Sequence, residues 1–162
     1  MHTCRQVKFK QVLIGCIICF ILALTLSVLL SAVCLHVQHY EIELRGLQSK
    51  VRLVLLSDLH CKSFGKDNAR LLAKVEAQSP DAICLAGDMI DRNADAEDVQ
   101  KFLDFVKALC EIAPVFFSPG NHELGYMASD ELLLDRIEKS GAAVFNDSYA
   151  DVILAGQPLR IG

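Results

Sequence analysis

The chain has 162 residues, of which 52% are hydrophobic and 22% are charged, and its formal net charge is −4. Its apolar content excludes a largely disordered chain, and its acidic balance argues against a nucleic-acid partner. The seven cysteines are odd in number and spread along the chain, which indicates buried thiols rather than a disulfide framework.

A long uncharged apolar segment occupies the N-terminal part of the chain. Residues 1–10 form a basic flank, and no charged residue lies between Lys10 and Glu41. As a helix, residues 11–36 would span about 39 Å, enough to cross about 30 Å of bilayer hydrocarbon. We predict one transmembrane helix over 11–36, with a cleaved signal peptide as the alternative. The basic flank favours a cytoplasmic N-terminus and an extracytoplasmic globular domain.

The remaining sequence predicts a linker followed by one α/β domain. In the linker, residues 37–50, apolar and acidic residues alternate over Tyr40–Leu44, which is typical of an edge strand. The domain, residues 51–162, alternates short apolar runs with amphipathic segments, which favours a largely parallel sheet. In chain order we predict strands at 52–57, 82–86, 114–118, 142–145, 151–155 and near 158–162, and helices at 66–78, at 96–111 and between Ser129 and Gly141.

Polar side chains follow each of the first three predicted strands. In parallel sheets the ligand site lies beyond the carboxyl ends of the strands, so these side chains are expected to converge. Each cluster alone is also explained by a helix cap or a turn, but their shared register indicates a site. The residues are Asp58 and His60, then Asp88 and Asp91, then Asn121, His122 and Glu123.

The residue types in these loops suit divalent ions. Asp58 and His60 stand two residues apart, so both can reach one ion, and Asp88 on the next loop can bridge two. Two ions roughly 3.5–4 Å apart would clamp the oxygens of a phosphoryl displacement and lower the pKa of the attacking water. His122 could then protonate the leaving group.

Two further carboxylates complete the predicted site. Asp91 and Glu123 are expected to orient His122 and the loops, without touching the ions themselves.

Asp58-x-His60, Gly87-Asp88-x-x-Asp91 and Gly120-Asn121-His122-Glu123 resemble the first three motifs of the calcineurin-like metallophosphoesterases. The resemblance covers residues 51 to about 162 and implies a β-sandwich flanked by helices, with two divalent ions (Mn, Fe, Zn or Mg). It implies that Asp58 and His60 bind the first ion, that Asp88 bridges both, and that Asn121 binds the second. Ser57-Asp58-Leu59-His60-Cys61, together with the anchor, is similar to a bacterial membrane-associated branch that includes phosphodiesterases and enzymes that cleave a lipid-linked pyrophosphate.

The sequence departs from the family pattern after His122. The family continues with further histidines, including Gly-His-x-His, whereas no histidine follows His122 here. We therefore expect residues 51–162 to form an incomplete sandwich, with one face of the first sheet partly uncovered. Such a chain would hold at most one ion and would be inactive by itself. The leading hypothesis is a membrane-anchored phosphoesterase acting on a phosphorylated small molecule or a lipid-linked phosphate. The alternative is a catalytically incomplete binding module or fragment.

Overall fold

The computed structural model describes residues 13–27 and 34–162, and the chain divides into two compact units, residues 1–39 and 40–162. In the first unit, residues 13–27 form a helix, α1. None of the helices in the described ranges combines the length and the apolar character needed to cross a bilayer. The predicted basic flank and part of the predicted segment 11–36 lie outside the described residues.

The second unit alternates strands and helices, as the sequence predicts. A 3₁₀ turn at Lys66–Asn68 precedes α2, and α4 is a short helix that the sequence patterns did not predict. The elements are β1 (Leu53–Leu56), α2 (Ala69–Glu76), β2 (Ala82–Ala86), α3 (Ala96–Cys110), β3 (Val115–Ser118), α4 (Asn121–Tyr126), α5 (Leu133–Lys139), β4 (Ala143–Val144), β5 (Ala150–Leu154) and β6 (Gln157–Ile161).

The edge strand predicted over Tyr40–Leu44 is not formed. Residues 34–50 contain neither helix nor strand, and Tyr40 and Ile42 are 79% and 78% exposed. Alternating residues form a strand only when a neighbouring strand supplies hydrogen bonds, and among the described residues β1 pairs with β2 alone. This part of the prediction was wrong, and the segment is an irregular connection.

The first four strands form one parallel sheet in the order β1-β2-β3-β4. Strands β5 and β6 form a separate antiparallel hairpin. In the parallel sheet Leu55 is level with Cys84, which is level with Phe116. The carboxyl ends of β1, β2 and β3 therefore lie along one edge, which confirms the predicted α/β class with a parallel sheet.

Helices and the hairpin cover opposite faces of this sheet. On one face Phe117 of β3 is fully buried, and its ring centroid lies 5.9 Å from that of Phe102 on α3. On the other face Phe116 stacks on Phe145, with 5.8 Å between ring centroids, and both pack with Leu154 of the hairpin. The core thus fixes the three strands whose ends carry the candidate site.

The expected uncovered face is found at β1 but not at β2 and β3. Leu53 and Leu55 are 48% and 67% exposed. In contrast, Ala82 of β2 and Phe116 of β3 are at most 8% exposed. The prediction was wrong for the two inner strands because the β5–β6 hairpin packs against them.

Candidate active site

The loops after β1 and β2 are joined by backbone hydrogen bonds. The His60 N–H donates to the Asp88 carbonyl at 3.0 Å, and the Cys61 N–H donates to the Met89 carbonyl at 3.0 Å. Asp58, His60, Cys61 and Asp88 all have positive φ, between 48° and 58°, which side chains with a Cβ rarely adopt. These hydrogen bonds therefore keep the backbone of the two loops in a strained, positive-φ conformation.

Two glycines bring the loops after β2 and β3 into direct backbone contact. Gly87 has a φ of +72°, and a Cβ there would collide with the backbone of Gly120. A Cβ on Gly120 would collide with the backbone nitrogen and the carboxylate of Asp88. The Asp88 side chain therefore occupies space that exists only because residue 120 has no side chain.

Gly120→Ala is expected to push the Asp88 carboxylate aside and to weaken Mn²⁺ binding by about 10–100-fold, the loss typical of a displaced supporting contact. Isothermal titration with Mn²⁺ measures this. The matched control is Gly156→Ala in the β5–β6 turn, where φ is +74° but no atom lies within 4 Å of an added Cβ. The control carries backbone strain away from the site, so Mn²⁺ affinity should be unchanged. Wild-type affinity in Gly120→Ala would contradict the interpretation.

Glu123 lies fully buried beneath the loops. Its Oε2 accepts the N–H groups of Asp88 and Gly120, both at 2.8 Å, and its Oε1 accepts those of Met89 and Ile90 at 2.7 and 3.0 Å. Four charge-assisted hydrogen bonds replace the hydration that the buried carboxylate has lost. Glu123 thereby ties the second loop to the third and to α4.

The structure brings three of the predicted residues into one cluster. One potential ligand atom from each of His60, Asp88 and His122 lies within 4.8 Å of the others. Asp58 is alongside, with its Oδ1 at 3.9 Å from Nε2 of His60. Asn121 is the first residue of α4, next to His122, and is exposed.

Asp91 is close to both histidines. Its Oδ1 is 3.0 Å from Nδ1 of His60 and 3.6 Å from Nδ1 of His122. The first contact is a hydrogen bond that places the proton of a neutral His60 on Nδ1, so Nε2 keeps a free lone pair. His122 is assigned the opposite tautomer, because its Nδ1 accepts the N–H of Arg92 at 3.2 Å. With these tautomers His60 offers a lone pair on Nε2, and His122 offers an Nε2–H group.

These donors fit a divalent ion. Carboxylate oxygen and imidazole nitrogen are the ligands that Mn, Fe, Zn and Mg sites combine. Asp88 uses its Oδ1 to accept the N–H of His122 at 2.9 Å, so its second oxygen stays available for an ion. Asp58, His60 and Asp88 would hold such an ion, while the hydrogen bond from Arg92 engages the Nδ1 of His122.

Cys61 and Arg92 also belong to the site, although the sequence analysis assigned neither of them a role there. The sulfur of Cys61 accepts the Asp91 N–H at 3.2 Å. Burial raises the pKa of the Cys61 thiol, so it is a neutral thiol at neutral pH. The one sequence signal for Cys61 was its place directly after Asp58-x-His60.

The three cysteines of the domain, Cys61, Cys84 and Cys110, are free thiols, as the sequence predicts. They are half-buried, whereas the sequence analysis predicted buried thiols.

Comparison with known proteins gives this α/β domain its class. Residues 51–157 of the chain match the family described as calcineurin-like phosphoesterase. A metallophosphoesterase of Campylobacter jejuni is 29% identical over 100 residues, which cover 60% of this chain and 26% of that protein. One of Bacillus subtilis is 24% identical over 115 residues, which cover 70% of this chain and 43% of that protein.

The chain therefore belongs to the calcineurin-like metallophosphoesterase family. Its matched region spans about a quarter of the first relative's length and less than half of the second's.

Proposed function

We propose that the protein is a metal-dependent phosphoesterase that hydrolyses a phosphodiester or pyrophosphate bond. The observation that carries this proposal is the cluster of His60, His122 and Asp88, with Asp91 3.0 and 3.6 Å from the two Nδ1 atoms and Asp58 beside His60. Divalent ions, when bound, polarise the phosphoryl oxygens and lower the pKa of the attacking water.

Four residues of this chain would hold the ions. Asp58 and His60 would hold a first ion, and Asp88 and Asn121 would contribute oxygens to a second. The family membership and the donor set support this assignment.

His122 acts on the leaving group. As a general acid the ring would carry protons on both nitrogens: Nε2–H would give its proton to the departing oxygen, and the Asp91 carboxylate, 3.6 Å from Nδ1, would accept a hydrogen bond from the other. In the neutral ring the N–H of Arg92 fixes the orientation through Nδ1. Asp91 and Arg92 are positioning residues in this scheme, since neither needs to touch the substrate.

His122→Asn tests the proposal in the full-length protein. A poor, alkyl leaving group should lose about 10²–10⁴-fold in turnover, since proton donation is worth that much. Bis-p-nitrophenyl phosphate, whose leaving group needs little protonation, should lose less, and metal content should not change. The control is His39→Asn in the exposed connection before the domain. Equal losses on both substrates, or loss of metal, would make His122 a ligand instead.

We further propose that residues 11–36 anchor the protein in a membrane, with the domain on the extracytoplasmic side. Nine large apolar side chains of α1 are 49–69% exposed, which leaves a surface that lipid would cover. The basic flank at residues 1–10 supports the orientation. A site held near a membrane favours a lipid-linked phosphate over a soluble substrate.

The anchor predicts that the protein stays in the membrane pellet after a carbonate wash and that protease added outside intact cells cleaves the domain. Sequencing the N-terminus of the mature protein distinguishes the anchor from a cleaved signal peptide. Release by carbonate would reject the anchor, and a protease-protected domain would reverse the orientation.

A further inference from the structure

A closed ring of contacts connects Cys61, His60 and Asp91. The sulfur of Cys61 accepts the Asp91 N–H at 3.2 Å, and the Asp91 carboxylate is 3.0 Å from Nδ1 of His60. Cys61 and His60 are neighbours in the chain, so the ring closes through one peptide bond. We propose that Cys61 is a positioning residue, whose sulfur holds Asp91 in the orientation that sets the tautomer of His60.

The backbone holds both ends of the sulfur contact in place. On one side the Cys61 N–H donates to the Met89 carbonyl at 3.0 Å, and Cys61 has a φ of 56°. On the other side Ile90, directly before Asp91, is fully buried, and its N–H donates to Glu123. The neighbouring residue Ile90 is thus fixed on the β2 loop, and the sulfur contact holds the next backbone group, the Asp91 N–H, from which the Asp91 carboxylate extends.

The consequence concerns the nitrogen that His60 offers. With the Asp91 carboxylate in place, the proton of His60 sits on Nδ1 and Nε2 is a free ligand. If Asp91 turns away, part of the population moves its proton to Nε2, and that fraction cannot bind an ion through Nε2. Cys61 thus acts on the site through Asp91, and its effect on metal affinity rests on the proposed function.

The test compares Cys61→Ala, which removes the acceptor, with Cys61→Ser, which keeps an acceptor on a shorter side chain. The full chain is kept in solution with detergent because α1 exposes apolar side chains. The matched control is Cys110→Ala, another free, half-buried thiol, at the end of α3.

Two readouts use metal-free protein. Long-range ¹H–¹⁵N spectra report the tautomer of His60, and amide hydrogen exchange reports the Asp91 N–H. Cys61→Ala should lower the Nδ1–H population of His60 and speed Asp91 exchange by up to about tenfold, the scale of one weak hydrogen bond. Cys61→Ser should restore part of both, and Cys110→Ala should change neither. An unchanged His60 tautomer and unchanged exchange in Cys61→Ala would overturn the proposal.

A third readout is the Mn²⁺ dissociation constant. Cys61→Ala should raise it by no more than about tenfold, the low end of losses from outer contacts. In an Asp91→Asn background the same change should add nothing, since Cys61 acts through Asp91. Additive losses would show a separate, structural effect. If the wild-type chain binds no Mn²⁺, the proposed function fails, while the metal-free readouts still decide the role of Cys61.

Discussion

Asp88→Asn should weaken the binding of divalent ions by more than 100-fold, beyond the roughly 10–100-fold that loss of an outer contact costs. Asparagine keeps the shape of the side chain and can still accept the His122 N–H through Oδ1. It loses the negative charge that lies among the ligand atoms of His60 and His122. The measurement is a Mn²⁺ titration followed by calorimetry, with hydrolysis of bis-p-nitrophenyl phosphate recorded on the same samples.

The control for this change is Asp104→Asn. Asp104 is an exposed carboxylate on α3 that pairs with Lys107 on the surface, and such pairs contribute little. The Asp104→Asn substitution also removes one negative charge, but away from the site, so metal affinity should stay at the wild-type value. Wild-type affinity in Asp88→Asn, or an equal loss in both variants, would remove Asp88 from the metal site.

Glu123→Gln should destabilise the domain by about 2–4 kcal/mol and also weaken metal binding, because an amide nitrogen cannot accept the N–H groups that one carboxylate oxygen now accepts. Two buried N–H groups would lose their acceptor, either those of Asp88 and Gly120 or those of Met89 and Ile90. Both choices loosen the loop that carries Asp88. Urea unfolding and Mn²⁺ titration measure the two effects separately.

Glu131→Gln, at an exposed position before α5, is the control and should leave both quantities within error of the wild type. A Glu123→Gln protein with wild-type stability would show that the buried carboxylate does not hold the loops. Wild-type metal affinity with lowered stability would confine its role to folding.

Hydrophobic periodicity was enough to predict the parallel sheet. The apolar runs at β2 and β3 and the amphipathic pattern of α3 are local signals, and tertiary packing reinforces them. Tyr40–Leu44 carries the same kind of signal, but none of the described strands pairs with it. α4 was missed because it is six residues long and contains Gly125, so its stability depends on Glu123 rather than on helix propensity.

The candidate site was predictable to the level of which residues meet. Asp58, His60, Asp88 and His122 follow strand ends, and the topology of a parallel sheet brings strand ends together. Their protonation could not be predicted, because it depends on which atom of Asp91 and which backbone N–H face each ring. The sequence predicted Cys61 only as a buried thiol, because nothing in the sequence shows that its sulfur accepts a hydrogen bond from the neighbouring loop.

The most direct test of the central claim is phosphodiester hydrolysis by the full-length protein before and after chelation, with the metal content of each sample measured. The account predicts that chelation removes the divalent metal and the activity together, and that added Mn²⁺ restores the activity in the wild type but not in Asp88→Asn. A sample that elemental analysis shows to be free of metal and that still hydrolyses the diester at the full rate would contradict it.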